Sequence, residues 1–78
     1  MKINYAIARR ISELLKKEKI SQYRLAKDTG IAIKTMNNIM NSKHDGVQLK
    51  TIIRICQRLN VSIEDFFSNK IFKNIEIN

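Results

Sequence analysis

The stretch SQYRLAKDTGIAIKTMNNIMNSK, residues 21–43, decides the fold of this chain. Ser21 is a good N-cap, because its hydroxyl can accept a free backbone N–H at a helix start. It predicts a helix over residues 22–29. Gly30 follows where a chain leaves a helix in the left-handed conformation, which glycine adopts at little cost. A second helix is predicted over residues 33–41, so the segment predicts two short helices joined by a tight glycine turn.

Asparagines are frequent in the second of these helices, although asparagine is a mediocre helix former. At about 100° per residue, Met36, Ile39 and Met40 fall on one side of the helix. The opposite side is polar and consists of Lys34, Asn37, Asn38 and Asn41, with Ile33 and Thr35 at its boundary.

Such a polar face matches the chemistry of base edges in the major groove of DNA. Asparagine pairs with adenine N6 and N7, lysine reaches guanine O6 and N7, and a threonine methyl group contacts a thymine methyl. The face is therefore predicted to read a DNA sequence. The alternative, surface polarity without a reading role, stays open.

Three further helices are predicted. Apolar residues recur at spacings of three and four over residues 4–19 and again over residues 50–59. One stripe of the second of these helices is expected to be buried, and it consists of Leu49, Ile52, Ile53, Cys56 and Leu59. Ile55 is expected outside, as a scattered surface residue or as part of a dimer patch. A capping box, SIED at 62–65, opens a short fifth helix whose Phe66 and Phe67 close the core.

The last nine residues, KIFKNIEIN at 70–78, break the helical pattern and form a segment separate from the domain of residues 1–69. Isoleucines alternate with asparagine and glutamate there, which is the period of a strand. A lone strand needs a partner. The candidates are the N-terminal segment MKIN or the same tail in a second chain, and a frayed end is the third interpretation.

Charge points to a polyanionic partner. The 78 residues carry 15 Lys and Arg against 7 Asp and Glu, a net charge of +8. Between Arg9 and Arg58 lie twelve of the basic residues and only four acidic ones. A basic body suits nucleic acid, through phosphate neutralisation and counterion release. On helix 4–19, the basic residues are predicted to form a solvated face: Arg9, Arg10, Lys16 and Lys17.

Other classes of protein fit less well. No apolar run approaches the roughly 20 residues needed to cross a bilayer, and a lone Cys56 fits a reducing compartment. A soluble cytoplasmic domain is therefore predicted. One histidine, His44, and one cysteine offer no nucleophile–base pair and no metal cluster. With only two glycines, the chain also has no glycine-rich phosphate loop. We expect no enzymatic activity, no cofactor and no metal, with His44 a bystander and Cys56 a core residue.

The run ISQYRLAKDTGIAIKTMNNIMNSK, followed by LKTIIRICQRLNVSIEDFF, resembles the Cro/repressor-type (XRE) helix-turn-helix family over about residues 7–68. The resemblance rests on Ser-Gln and Leu-Ala in the first helix of the pair, on the Thr-Gly turn and on the closing LNVSIEDFF. It implies an all-α, compact, five-helix repressor-like domain. It also implies a transcriptional regulator that binds an operator, often as a dimer.

The resemblance also implies roles for single residues. Gln22 falls where the family's glutamine hydrogen-bonds a DNA phosphate. The exposed positions of the recognition helix hold Ile33, Lys34, Thr35, Asn37 and Asn38. Asn41 and Lys43 match positions that commonly touch the DNA backbone at the end of that helix.

The chain departs from the family pattern at several positions. Ala32 replaces the usual Ser or Thr cap of the recognition helix, a loss of about 1 kcal/mol. Leu15 and Met40 stand where a basic residue and a glutamate often pair, so we infer a packing contact in place of an ionic one. Ser42 stands where glycine is usual, and Ile33 offers a base only methyl or sugar contact.

Two functions follow as hypotheses. The first is a sequence-specific DNA-binding regulator, expected to repress transcription and to act as a homodimer. The alternative is an antitoxin-type interaction module, whose tail at residues 70–78 binds a protein partner while the helices bind the operator.

Overall fold

The computed structural model describes residues 1–43 and 46–77 and has the predicted all-α architecture. Within these residues the α-helices are, in order, α1 Ile3–Glu18, α2 Gln22–Thr29, α3 Ile33–Met40, α4 Leu49–Arg58 and α5 Ile63–Phe67. A single turn of 3₁₀ helix, Lys70–Phe72, follows. The predicted helices are confirmed, with observed ends within one residue of those predicted for the first four. His44, predicted to be a bystander, lies outside the described residues.

Serine side chains begin two of the helices, as the sequence predicts. Ser21 Oγ accepts the N–H of Arg24 at 3.0 Å at the start of α2. Ser62 Oγ accepts the N–H of Asp65 at 2.9 Å at the start of α5. Each bond satisfies an N–H group that a helix start leaves without an intrahelical partner. The start of α3 has no such bond, because Ala32 precedes it.

Three helices are followed by a non-glycine residue in the left-handed conformation: Lys19 (φ 56°), Ser42 (φ 58°) and Asn60 (φ 59°). After α3, the N–H of Lys43 reaches back to the carbonyl of Asn38 at 2.9 Å. This bond is typical of the Schellman motif, in which the residue before the donor is left-handed. Ser42 therefore makes the exit turn that glycine usually makes at this position in the family.

Replacing Ser42 with glycine is expected to stabilise the domain by roughly 0.5–1 kcal/mol. A left-handed conformation costs a non-glycine residue about 1–2 kcal/mol, and glycine loses roughly 0.5–1 kcal/mol of that gain through its own backbone entropy. Thermal unfolding followed by circular dichroism measures the change. Ser68→Gly is the matched control and should destabilise, because Ser68 has ordinary right-handed backbone and a side-chain bond to Asp65. A fall in stability for Ser42→Gly would contradict the account.

The core is an aliphatic cluster with one fully buried aromatic ring. Its buried members are Ile7, Ile11, Leu14, Leu15, Leu25, Ala26, Ile31, Met36, Ile39, Ile52, Ile55, Cys56, Leu59 and Phe66. Met40 packs against this cluster, of which Leu15 is a member. The two residues that replace the usual ionic pair therefore belong to one apolar region, and a direct packing contact between them stays a prediction.

The buried face of α4 differs from the prediction. Ile55 is fully buried, whereas Leu49 is 60% exposed and Ile53 is 39% exposed. The buried stripe runs through Ile52, Ile55, Cys56 and Leu59, which keeps the helical spacing of three and four. The prediction was wrong because the spacing alone allows either of two stripes. Ile53 lies three residues before Cys56, and Ile55 lies three residues after Ile52. Leu49, moreover, is the first residue of α4.

Arg10 also differs from the prediction of a solvated side chain. Its Nε donates to the carbonyl of Phe66 at 2.8 Å, and its Nη2 donates to the carbonyl of Asp65 at 3.1 Å. These carbonyls lie at the C-terminal end of α5, where a helix has few N–H groups left to donate to them. The carbonyl of Asp65 also accepts the N–H and the hydroxyl of Ser68. Arg10 therefore ties α1 to the end of α5.

The tail has an intramolecular partner. The N–H of Glu76 donates to the carbonyl of Met1 at 3.1 Å, and the N–H of Ile3 donates to the carbonyl of Glu76 at 3.0 Å. These bonds form a single parallel bridge between Lys2 and Glu76. Of the partners predicted for the tail, the structure has the N-terminal segment of the same chain. The domain boundary at residue 70 stays a prediction, and Phe72 beyond it packs against the core.

Candidate nucleic-acid interface

The helix α3 buries one side and exposes the other. Met36 and Ile39 are buried, with exposed fractions of 0% and 3%. Lys34, Asn37 and Asn41 are exposed, and Asn38 is half-buried. The prediction that the polar side of this helix is not covered by the core of its own chain is confirmed.

The two boundary residues of this polar face lie beside different neighbours. Ile33 is 48% exposed and lines a cleft of about 250 Å³ between α3 and α2. Thr35 is exposed and lines a cleft of about 360 Å³ together with Asn38 and Thr51, the latter in the first turn of α4. The polar face therefore lies between the starts of α2 and α4.

A side-chain hydrogen bond joins α2 to the polar face. Gln22 Nε2 donates to Asn37 Oδ1 at 2.5 Å. Gln22 is the first residue of α2, so the bond holds the start of that helix beside the middle of α3. The residue predicted to contact phosphate and one predicted to contact bases are thus direct neighbours.

Asn41 closes the C-terminal end of α3. Its Nδ2 donates to the carbonyl of Asn37 at 2.8 Å, and its backbone N–H donates to the same carbonyl at 2.9 Å. Part of the hydrogen-bonding capacity of this amide is therefore used within the helix. Lys43, two residues later, is exposed.

Tyr23 is a surface residue that the sequence reasoning did not single out. It is 59% exposed and lines the α2–α3 cleft with Gln22, Ile33 and Asn37. Its phenol can donate a hydrogen bond to a phosphate oxygen. The signal in the sequence was its place next to Gln22, in the first turn of the helix and outside the buried pair Leu25 and Ala26.

Two arginines form ion pairs with the same carboxylate, that of Asp28. Asp28 accepts a hydrogen bond from Arg58 Nε at 2.7 Å and one from Arg24 Nε at 3.0 Å. The hydrogen bond from Arg58 is the main reason that the pKa of Asp28 is lowered, and Arg24 adds to it, while desolvation works against the shift. This triad ties α2 to α4. Lys34 has no ion pair with the residues that the structure describes.

Replacing Asp28 with asparagine is expected to destabilise the domain at neutral pH but not in strong acid. Because the pKa of Asp28 is lowered on folding, its stabilising contribution is complete above the ordinary value of 3.8. It is lost as the pH falls through the lower folded value. Urea unfolding of both proteins at neutral pH and in strong acid, well below pH 3.8, measures this. A difference in stability that stays constant over this range would contradict the pairing.

Two other features, a metal-binding group and a membrane-spanning helix, are absent from the described residues. None of their His, Cys, Asp and Glu side chains form a group that could hold a metal ion. None of their helices is long and apolar enough to span a membrane.

Comparison with known proteins agrees with this geometry. A family model described as a Cro/C1-type HTH DNA-binding domain matches residues 10–70. The match includes all of α2 to α5 and most of α1. No curated protein and no solved structure matches the chain.

Proposed function

Since the chain belongs to the Cro/C1-type HTH DNA-binding domain family, we propose that it binds double-stranded DNA sequence-specifically and represses transcription. The observation that carries the proposal is the exposed polar face of α3, free of the chain's own core. A helix fits the major groove, where each base pair presents its own pattern of donors and acceptors.

Two residues of α3 are proposed as the main base contacts. Lys34 and Asn38 are four residues apart and share one side of the helix. Lys34, near the start of α3, donates to guanine O6 and N7, and the amide of Asn38 pairs with adenine N6 and N7. Ile33 and Thr35 contribute methyl contacts at the two boundaries of the face.

Backbone contacts are proposed at both ends of the face. Gln22 and Tyr23 lie at the start of α2, and Asn41 and Lys43 at the end of α3. Phosphate contacts fix the register of a protein on the duplex and carry no sequence information directly. The net charge of +8 adds an attraction that weakens with salt.

The homodimer and the protein partner remain proposals from the sequence. Ile55 lies in the core and is not available to a dimer patch, whereas Leu49 and Ile53 are exposed one turn apart on α4. The antitoxin-type alternative assumed that the tail has no pairing partner in its own chain, and the bridge between Glu76 and Lys2 is such a partner. No described contact favours that alternative. Absence of enzymatic activity and a cytoplasmic location stay part of the proposal.

Selection of bound duplexes from a random pool tests the proposed function. The purified chain should enrich one motif, and if a dimer binds, two half-sites should lie about 34 Å apart. Affinity for the enriched duplex should fall steeply between about 50 mM and 200 mM salt. Equal recovery of all sequences would contradict sequence-specific binding, and a salt-independent affinity would contradict phosphate contact.

A further inference from the structure

The three asparagines of the α3 face differ in the hydrogen-bonding groups that they have left for DNA. Asn38 makes no side-chain hydrogen bond to any residue that the structure describes, so both amide atoms can pair with adenine. The side-chain amide of Asn41 donates one hydrogen bond to the carbonyl of Asn37. Asn37 has its side-chain oxygen engaged by Gln22. The identical residue type therefore offers different chemistry at each position.

At Asn37 the engaged atom is the acceptor. Gln22 Nε2 donates to Asn37 Oδ1, so this oxygen is directed at the start of α2. An amide carries its oxygen and nitrogen on opposite branches of one plane. With the oxygen turned to α2, the two atoms cannot both face a base, as bidentate pairing with adenine requires. The group that the exposed Asn37 retains for DNA is the Nδ2 donor.

We infer that Gln22 is a positioning residue that makes Asn37 a hydrogen-bond donor and sets a preference for guanine at the base pair that Asn37 faces. Guanine presents two acceptors, N7 and O6, side by side in the major groove. Cytosine presents a donor, N4, and adenine places its N6 donor beside N7. A side chain that only donates therefore selects guanine over both. Thymine, which presents the single acceptor O4 beside its methyl group, is the weaker second choice. This inference rests on the proposed function and specifies one position of the motif.

The substitution Gln22→Glu tests the inference by reversing the direction of the bond. A carboxylate accepts hydrogen bonds and does not donate them. The bond to Asn37 then persists only if the amide turns over, with Nδ2 toward α2 and Oδ1 toward the DNA. An outward oxygen accepts from cytosine N4 or adenine N6. The base at this position should change from guanine to cytosine or adenine.

Selections from a random duplex pool are run in parallel with the wild type, Gln22→Glu, Gln22→Ala and Asn37→Ala. The wild type should prefer guanine at one position by roughly tenfold. Asn37→Ala should lose that preference and keep the rest of the motif. Gln22→Ala should reduce it, because the amide is then free to turn. Gln22→Glu should reverse it, and its total affinity should also fall because a negative charge approaches the phosphates.

The outcomes separate this inference from the proposed function. If the Gln22→Glu variant still selects guanine at the position that Asn37→Ala affects, the inference is overturned, and Gln22 is a phosphate contact alone. An Asn37→Ala variant that weakens all duplexes equally would also overturn it. A wild-type chain that enriches no motif would overturn the proposed function itself.

Misfolding is not a confounding outcome for the charged variant. Gln22 is the first residue of α2, where an acidic side chain is stabilised by the partial positive charge of the helix start. Circular dichroism melting of each variant verifies the fold. In the free wild-type protein, an NMR contact between the side-chain amide protons of Gln22 and Asn37 should also be present, and its absence would overturn the inference.

Discussion

Replacing Phe66 with alanine is expected to lower the free energy of unfolding by about 3–5 kcal/mol. The ring is fully buried, and its centroid lies 4.9 Å from that of Phe67 and 5.9 Å from that of Phe72. The guanidinium of Arg10 lies 5.9 Å from the same centroid. Removing the ring leaves a cavity where α1, α5 and the 3₁₀ turn meet. Urea unfolding followed by circular dichroism measures the loss.

The loss is large for a chain of this size, because small domains have only roughly 0.05–0.15 kcal/mol of stability per residue. The matched control is Phe67→Ala, which removes a neighbouring ring that is only partly buried. It should cost less than Phe66→Ala. Equal losses, or a loss below about 1 kcal/mol for Phe66→Ala, would contradict the placement of Phe66 at the centre of the core.

Replacing Asn38 with alanine is expected to weaken binding to the enriched duplex by roughly 1–3 kcal/mol, with much less effect on a random duplex. A base contact exists only when the matching base is present, so its loss removes discrimination. Lys34→Ala should act in the same way at a different base pair. Competition binding at fixed salt, with enriched and scrambled duplexes of equal length, measures both affinities.

Lys43→Ala is the control for this pair of variants. Lys43 lies beyond the end of α3 and is proposed to contact phosphate, so its removal should weaken both duplexes alike and reduce the salt slope by about one. Should Asn38→Ala also weaken both duplexes alike, Asn38 would be a backbone contact. The proposed reading surface would then have to exclude it.

The helices were readable from the sequence because their ends carry local signals. Ser21 and Ser62 start helices through bonds to N–H groups only three residues away. The exposed side of α3 followed from the spacing of Met36, Ile39 and Met40. Such features depend on residues that are close along the chain, so the sequence pattern predicts them.

The features that the sequence did not reveal depend on residues distant along the chain. Arg10 is bound to carbonyls 55 and 56 residues later, and no pattern on α1 separates it from the other basic residues. Ile55 and Ile53 fit a helical stripe equally well, and only the packing of α4 against its neighbours decides between them. The bond from Gln22 to Asn37 likewise requires the crossing of α2 and α3, and it changes what Asn37 offers to DNA.

An NMR titration of the isotopically labelled protein with its enriched duplex tests most directly whether α3 enters the major groove. The side-chain amide signals of Asn37 and Asn38 should shift most on binding, followed by the backbone signals of α3 and of the start of α2. A scrambled duplex should produce smaller shifts at the asparagine side chains. Shifts concentrated on α4 and α5, with the asparagine amides unchanged by the enriched duplex, would contradict the account.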